Sequence, residues 1–158
     1  MFPARELHRS TCPGHTANGV LAGYEYWVRR VSRQAYGGTN PLTGYGGHDE
    51  DQGQMGGVSA LMKLGRFSLR GTCSKEPVYE ITTPEFDEIV IQLDPKYYPG
   101  REFRIVAHDN TPDNVYIQKA KLNGKSLESF WFPHKDFARG GLLELWLGPK
   151  PHKAWGCR

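Results

Sequence analysis

Val115-Tyr116-Ile117-Gln118-Lys119-Ala120-Lys121-Leu122-Asn123-Gly124 alternates apolar with polar side chains and then meets a tight turn. Alternation with period two marks a strand with one buried face, and Asn-Gly supplies the positive backbone angles of a hairpin. Working outward, Val78-Tyr79-Glu80-Ile81, Ile89-Val90-Ile91-Gln92-Leu93 and Phe103-Arg104-Ile105-Val106-Ala107 are likewise rich in β-branched or aromatic residues. Ser126 to Phe132 and Leu142 to Leu147 bring the set to about six strands, with one short helical turn predicted over 133–139.

Upstream of Gly71 the period changes. Tyr24, Trp27, Val28, Val31 and Ala35 recur at helical spacing, with Arg29, Arg30, Arg33 and Gln34 on the remaining positions. Gly37-Gly38 suits a left-handed helix end. A second helix is predicted from about 52 to 64, with Met55, Val58, Leu61, Met62 and Gly65 along one side. Asp51 and Gln54 have the spacing of a capping box. Gly53, Gly56 and Gly57 each cost roughly 1 kcal/mol relative to Ala in a helix, so this helix needs a packed neighbour. The chain divides into a loop or poorly ordered segment (1–22), a helical segment (23–70) and a β-rich region (71–158). The fold class is α+β, with a mainly antiparallel sheet.

The composition is that of a globular protein of 158 residues, with 38% hydrophobic and 23% charged residues. A net charge of +3, with the two signs interspersed, is too mild to argue for nucleic acid or an anionic membrane. No apolar run approaches a membrane span. Met1 to His8 lacks the apolar core of a signal peptide, which predicts a product retained in the cytoplasm. Cys12, Cys73 and Cys157 match no metal or redox spacing, and Cys12-Pro13-Gly14-His15 has no second pair to make a metal site. Trp131, Trp146 and Trp155 are predicted to pack rather than to stack on sugars.

The chemistry is concentrated in Gly46-Gly47-His48-Asp49-Glu50-Asp51-Gln52-Gly53-Gln54-Met55. Adjacent carboxylates repel, so a folded chain keeps them where water, a cation or a polar ligand offsets the repulsion. The glycines let a ligand approach the backbone closely. The alternative is helix capping, since acids ahead of a helix satisfy its free N–H groups. If the backbone is extended there, Asp49 and Asp51 face the same way about 6.6 Å apart. That spacing would serve one water or one cation from two sides. His48 reads equally as a sugar contact or a solvated loop histidine. His134 with Asp136 reads as a structural polar contact.

The order of these pieces resembles the C-terminal end of glycoside hydrolase family 92, the calcium-dependent exo-acting α-mannosidases. The likeness runs from Trp27-Val28-Arg29-Arg30-Val31 through Gly37 to Gly47 and centres on Asp49-Glu50-Asp51-Gln52-Gly53-Gln54-Met55. It continues through Pro77 to Ile81, Pro84-Glu85-Phe86-Asp87, Asn114 to Gln118, Leu122-Asn123-Gly124, His134-Lys135-Asp136 and Gly140-Gly141. Leu147-Gly148-Pro149-Lys150-Pro151 and Trp155-Gly156 close it. Gly56-Gly57-Val58-Ser59 departs from the family, which places a small pair, Trp and an aromatic there.

The resemblance implies the last helices of an α/α catalytic barrel followed by a β region, and inverting hydrolysis of α-mannosidic bonds in mannose-containing glycans, including N-glycan processing. It implies Asp49 and Asp51 as base-side carboxylates and Ca2+ ligands, with His48 and Gln54 as substrate contacts. Ca2+ would grip two sugar hydroxyls. Family members are several times longer, often secreted or periplasmic, and carry their general-acid glutamate upstream. The chain is therefore expected to be a fragment or truncated product, inactive alone, whose partner is the missing catalytic half. The competing reading is a non-catalytic carbohydrate-binding or interaction module. Helices cut from a barrel are further expected to be less stable than the β region and to expose Trp27, Val28, Met55 and Leu61.

Overall fold

The computed structural model describes residues 17–38, 40, 54–68, 74–152 and 154–156. In chain order these form α1 (Ala17–Ala35), α2 (Gln54–Lys63), β1 (Arg66–Phe67), β2 (Val78–Ile81), β3 (Glu88–Gln92), β4 (Glu102–His108), β5 (Tyr116–Leu122), β6 (Lys125–Ser126), β7 (Trp131–Pro133), α3 (His134–Ala138) and β8 (Gly141–Gly148). Among the described residues no helix is long and apolar enough to cross a membrane.

The strands make a three-stranded sheet, β1-β2-β7, and a five-stranded sheet, β3-β4-β8-β5-β6. Their pairings are antiparallel except for β4 with β8, which run parallel. The hairpin at Asn123-Gly124 forms as its sequence demands, with φ of 51° and 78°. The stretch 126–132, expected as one strand, is two: β6 belongs to the large sheet and β7 to the small one. Between them Ser126 Oγ donates to Glu128 Oε1 at 2.6 Å and Ser129 Oγ to the Trp131 carbonyl at 2.7 Å. Such local bonds compete with the ladder and let the chain change sheets.

The core lies between the two sheets. Phe103, Ile105, Ile117, Leu143 and Leu145 of the large sheet meet Ile81, Phe132 and, from α3, Phe137. Phe103 and Phe132 stack with ring centres 5.7 Å apart and planes 8° from parallel. Trp155 is buried and donates its Nε1–H to the Leu127 carbonyl at 2.9 Å. Trp146 lies under His108 on one side and the Lys119 ammonium on the other, with centroid distances of 4.6 and 4.8 Å. Its faces are occupied by protein, as packing requires.

The helical segment departs from its sequence reading in two ways. First, α1 begins at Ala17, inside the stretch expected as loop, because Leu21 extends the spacing of Tyr24 and Val28 backwards. Secondly, the helix turns its polar side inward. Glu25, Arg29 and Ser32 are buried, whereas Trp27 is 56% and Val31 39% exposed. The β region explains this, since it presents hydrogen-bonding groups to the helix: the Ile117 N–H, Thr83 Oγ1, Asn110 Oδ1 and the Glu85 carboxylate. Of the patch expected on the helices, Trp27 is exposed and is joined by Tyr26 and Val31; Val28, Met55 and Leu61 are half-buried.

An outward apolar stripe on a helix invites association. Sedimentation should show concentration-dependent self-association that Trp27→Gln reduces, and no change in the variant would remove this face from consideration. Because α1 is held through polar contacts, amides of 23–66 should exchange faster than those of β4, β5 and β8.

The turn after α2 passes through Gly65, where φ is 67°. A Cβ there would lie 2.6 Å from the Thr82 carbonyl oxygen and 2.7 Å from Pro84 N. Left-handed strain and backbone overlap then add, so Gly65→Ala should lower the urea-derived unfolding free energy by about 2–4 kcal/mol. A loss under about 0.5 kcal/mol, the scale of an ordinary surface change, would contradict this account.

Candidate functional site

In the chain, the acidic segment lies between α1 and α2. Tyr36, just past the end of α1, lies with its hydroxyl 3.8 Å from Met55 Sδ at the start of α2, which brings the end of one helix to the start of the other. α2 begins at Gln54, three residues after Asp51 in the chain. His48, Asp49 and Asp51 lie outside the described residues, and so does the side chain of Gln54, whose backbone opens α2. What the structure describes is the frame around them.

Glu85 holds that frame together. Its carboxylate accepts from Ser32 Oγ at 3.0 Å and lies 3.7 Å from Arg33 Nε of α1 and 4.0 Å from Lys63 Nζ of α2. Its backbone N–H donates to the Lys63 carbonyl at 2.9 Å. One residue of the β region therefore ties both helices that flank the acidic loop. Nothing in the spacing of Pro84-Glu85-Phe86 announces that role; it depends on where the loop after β2 falls.

A second anchor is Glu25, 3% exposed, whose Oε1 accepts the Ile117 N–H at 3.1 Å. Burial raises its pKa to about 8, against which the Ile117 bond acts. Beside it Tyr24 is pushed up to about 12, first by burial and then by the Glu80 charge. Arg29 donates from Nη2 to Asn110 Oδ1 at 2.7 Å and from Nε to Thr83 Oγ1 at 3.3 Å. Its pKa falls to about 10, chiefly through burial and then through the Arg33 charge.

His134 takes the structural part expected of it, with Nδ1 2.7 Å from Tyr79 Oη inside an aromatic cluster that includes Phe137. Arg66 is clasped in the same cluster, its guanidinium 4.2 Å from the Tyr79 ring centre and 4.1 Å from that of Phe137. Among the described residues no group of three or more His, Cys, Asp or Glu side chains is placed to hold a metal ion. The donors Asp49, Asp51 and Gln54 are hard oxygens of the kind Ca2+ takes, but they fall short of the six to eight it prefers.

Comparison with known proteins matches residues 22–149 to the glycosyl hydrolase family 92 catalytic domain. An uncharacterized secreted glycosidase of Arthroderma benhamiae is 39% identical over 114 residues, which cover 72% of this chain and 14% of that protein. The inverting mannosidase of family GH92 from Bacteroides thetaiotaomicron superposes with a TM-score of 0.69 at 30% identity, covering 85% of this chain and 17% of that one. A GH92 α-mannosidase of the same organism, also solved with mannoimidazole, shares the fold, with a TM-score of 0.73 at 20% identity over 90% of this chain and 19% of that one. The chain thus spans less than a quarter of the length of these relatives.

Proposed function

The chain belongs to glycosyl hydrolase family 92, and from that membership we propose that it supplies the water-activating side of an α-mannosidase active site. In this reading Asp49 and Asp51 are the base-side carboxylates. An inverting glycosidase needs one carboxylic acid to protonate the leaving oxygen and one carboxylate, on the opposite face, to take a proton from the attacking water. Asp49 or Asp51 serves as that base, while His48 and Gln54 orient the sugar. Asp49 and Asp51 also contribute to a Ca2+ site, where the ion when bound holds sugar hydroxyls. The general acid comes from outside these 158 residues. The observation that carries the reading is the family match, which runs through Asp49 to Gln54; the 30% identity to an inverting mannosidase supports its stereochemistry.

The test is a chimera in which residues 22–149 replace the matching part of an active family 92 α-mannosidase. Hydrolysis of an aryl α-mannoside should persist, with the β-anomer as first product by NMR. Asp49→Asn and Asp51→Asn should each be compared with it, and the one that is the base should lower kcat by about 10²–10⁴. A folded chimera whose rate neither substitution alters would refute the assignment.

A further inference from the structure

Three arginines of α1 line one open groove between this helix and the 112–115 segment. Arg29, Arg30 and Arg33 line it with Tyr26 and Gln34, and Pro112 closes the far side around a volume of about 260 Å³. Among the described residues no carboxylate lines it. Asp113 adjoins Pro112 in the chain and is exposed, but it does not line the groove.

The hydrogen-bond partners of two of these cations are neutral. Arg30 donates from Nε to Gln34 Oε1 at 3.0 Å and from Nη1 to Tyr26 Oη at 3.1 Å. Arg29, 3% exposed, is held by Thr83 and Asn110, and its buried Nη1 has no hydrogen-bond partner among the described residues. Arg33 has Glu85, but that carboxylate is shared with Ser32 and Lys63. The Arg33 charge disfavours the buried Arg29 cation, and the Glu85 carboxylate offsets this only in part. Arg29 nevertheless stays protonated at neutral pH, since its pKa remains near 10.

We propose that this groove binds a tetrahedral oxyanion, a phosphate or sulfate group, between the exposed guanidinium groups of Arg30 and Arg33 and beside the buried charge of Arg29. A guanidinium presents a planar fork of donors that matches two oxygens of such a group, and charge-assisted bonds of this kind are the strong ones. Two guanidinium forks at different helix positions suit an anion with oxygens in several directions better than a planar carboxylate. The groove is large against the roughly 30 Å³ that one water occupies in the liquid, so it admits the group together with part of its carrier. The site shares no residue with the acidic loop and does not rest on the mannosidase reading.

Calorimetric titration of the full chain at constant ionic strength tests this with inorganic phosphate, inorganic sulfate, phenyl phosphate and acetate. One phosphate or sulfate should bind per chain, more tightly than acetate. Arg30→Gln and Arg33→Gln, both at exposed helix positions, should each weaken it roughly tenfold or more. Lys96→Gln, outside the groove, should leave it unchanged. Phenyl phosphate binding above inorganic phosphate identifies an ester as the ligand, and equal binding identifies the free ion. The proposal is overturned if phosphate binds no better than acetate, or if folded Arg30→Gln and Arg33→Gln variants retain full affinity.

Discussion

Incubated with an aryl α-mannoside and excess Ca2+, the 158-residue chain is expected to give no turnover above that of an Asp49→Ala/Asp51→Ala double variant. Inversion needs two carboxyl groups on opposite faces of the sugar, about 6.5–9.5 Å apart. Asp49 and Asp51 are only two residues apart and, in the proposed reading, supply one side of that pair. Loss of general acid or base participation is typically worth about 10²–10⁴-fold. The positioning supplied in the relatives by the other four-fifths of the chain is lost with it. Calcium should bind weakly, because two carboxylates and an amide leave most of its coordination to water. Calorimetry and the mannoside assay check both statements. Turnover by the unmodified chain that disappears in the double variant would mean that these residues hold a complete site.

The second large effect is on stability and comes from Glu25. An ordinary glutamate releases its proton near 4.5, whereas this one, buried between α1 and β5, releases it near 8. Between those values the folded chain holds a proton that the unfolded chain has given up. Stability is therefore fully present below about pH 4.5 and falls as pH rises through about 8. The slope from this one group approaches 1.4 kcal/mol per pH unit in the middle of the window. Urea unfolding at pH 5, 6, 7 and 8 should show the decline. Glu25→Gln keeps an oxygen for the Ile117 N–H and removes the titration, so its profile should be flatter and it should be the more stable form at pH 8. A variant as pH-dependent as the parent would show that Glu25 is not the group responsible. Since Glu25 anchors α1 to β5, the same titration should loosen the helix that leads into the acidic loop.

Much of the fold was legible. The alternation over 103–107 and 115–122, the Asn123-Gly124 turn and the short helix after Pro133 each follow from local pattern and turn chemistry, and each appears where the sequence places it. The break in 126–132 did not announce itself, because a strand's sheet membership depends on distant partners. The parallel pairing of β4 with β8 is of the same kind: Phe103 meets Gly141 across a long connection that no local signal encodes. The acidic loop was visible as chemistry and as a family likeness, but its geometry lies outside the described residues.

The helices show most clearly where sequence reading stops. By itself the chain determined that 23–35 is helical, that a second helix follows and that strands come after it, since propensity, period and turn residues are local properties. Which face of α1 is buried was settled only by the tertiary structure. Trp27 and Val31 looked like core positions, yet Glu25, Arg29 and Ser32 went inside. The β region offers an N–H at Ile117, oxygens at Thr83 and Asn110, and a carboxylate at Glu85 to match them. A polar side chain is buried where its hydrogen bonds are met, and those partners lie about 53 to 92 residues away along the chain.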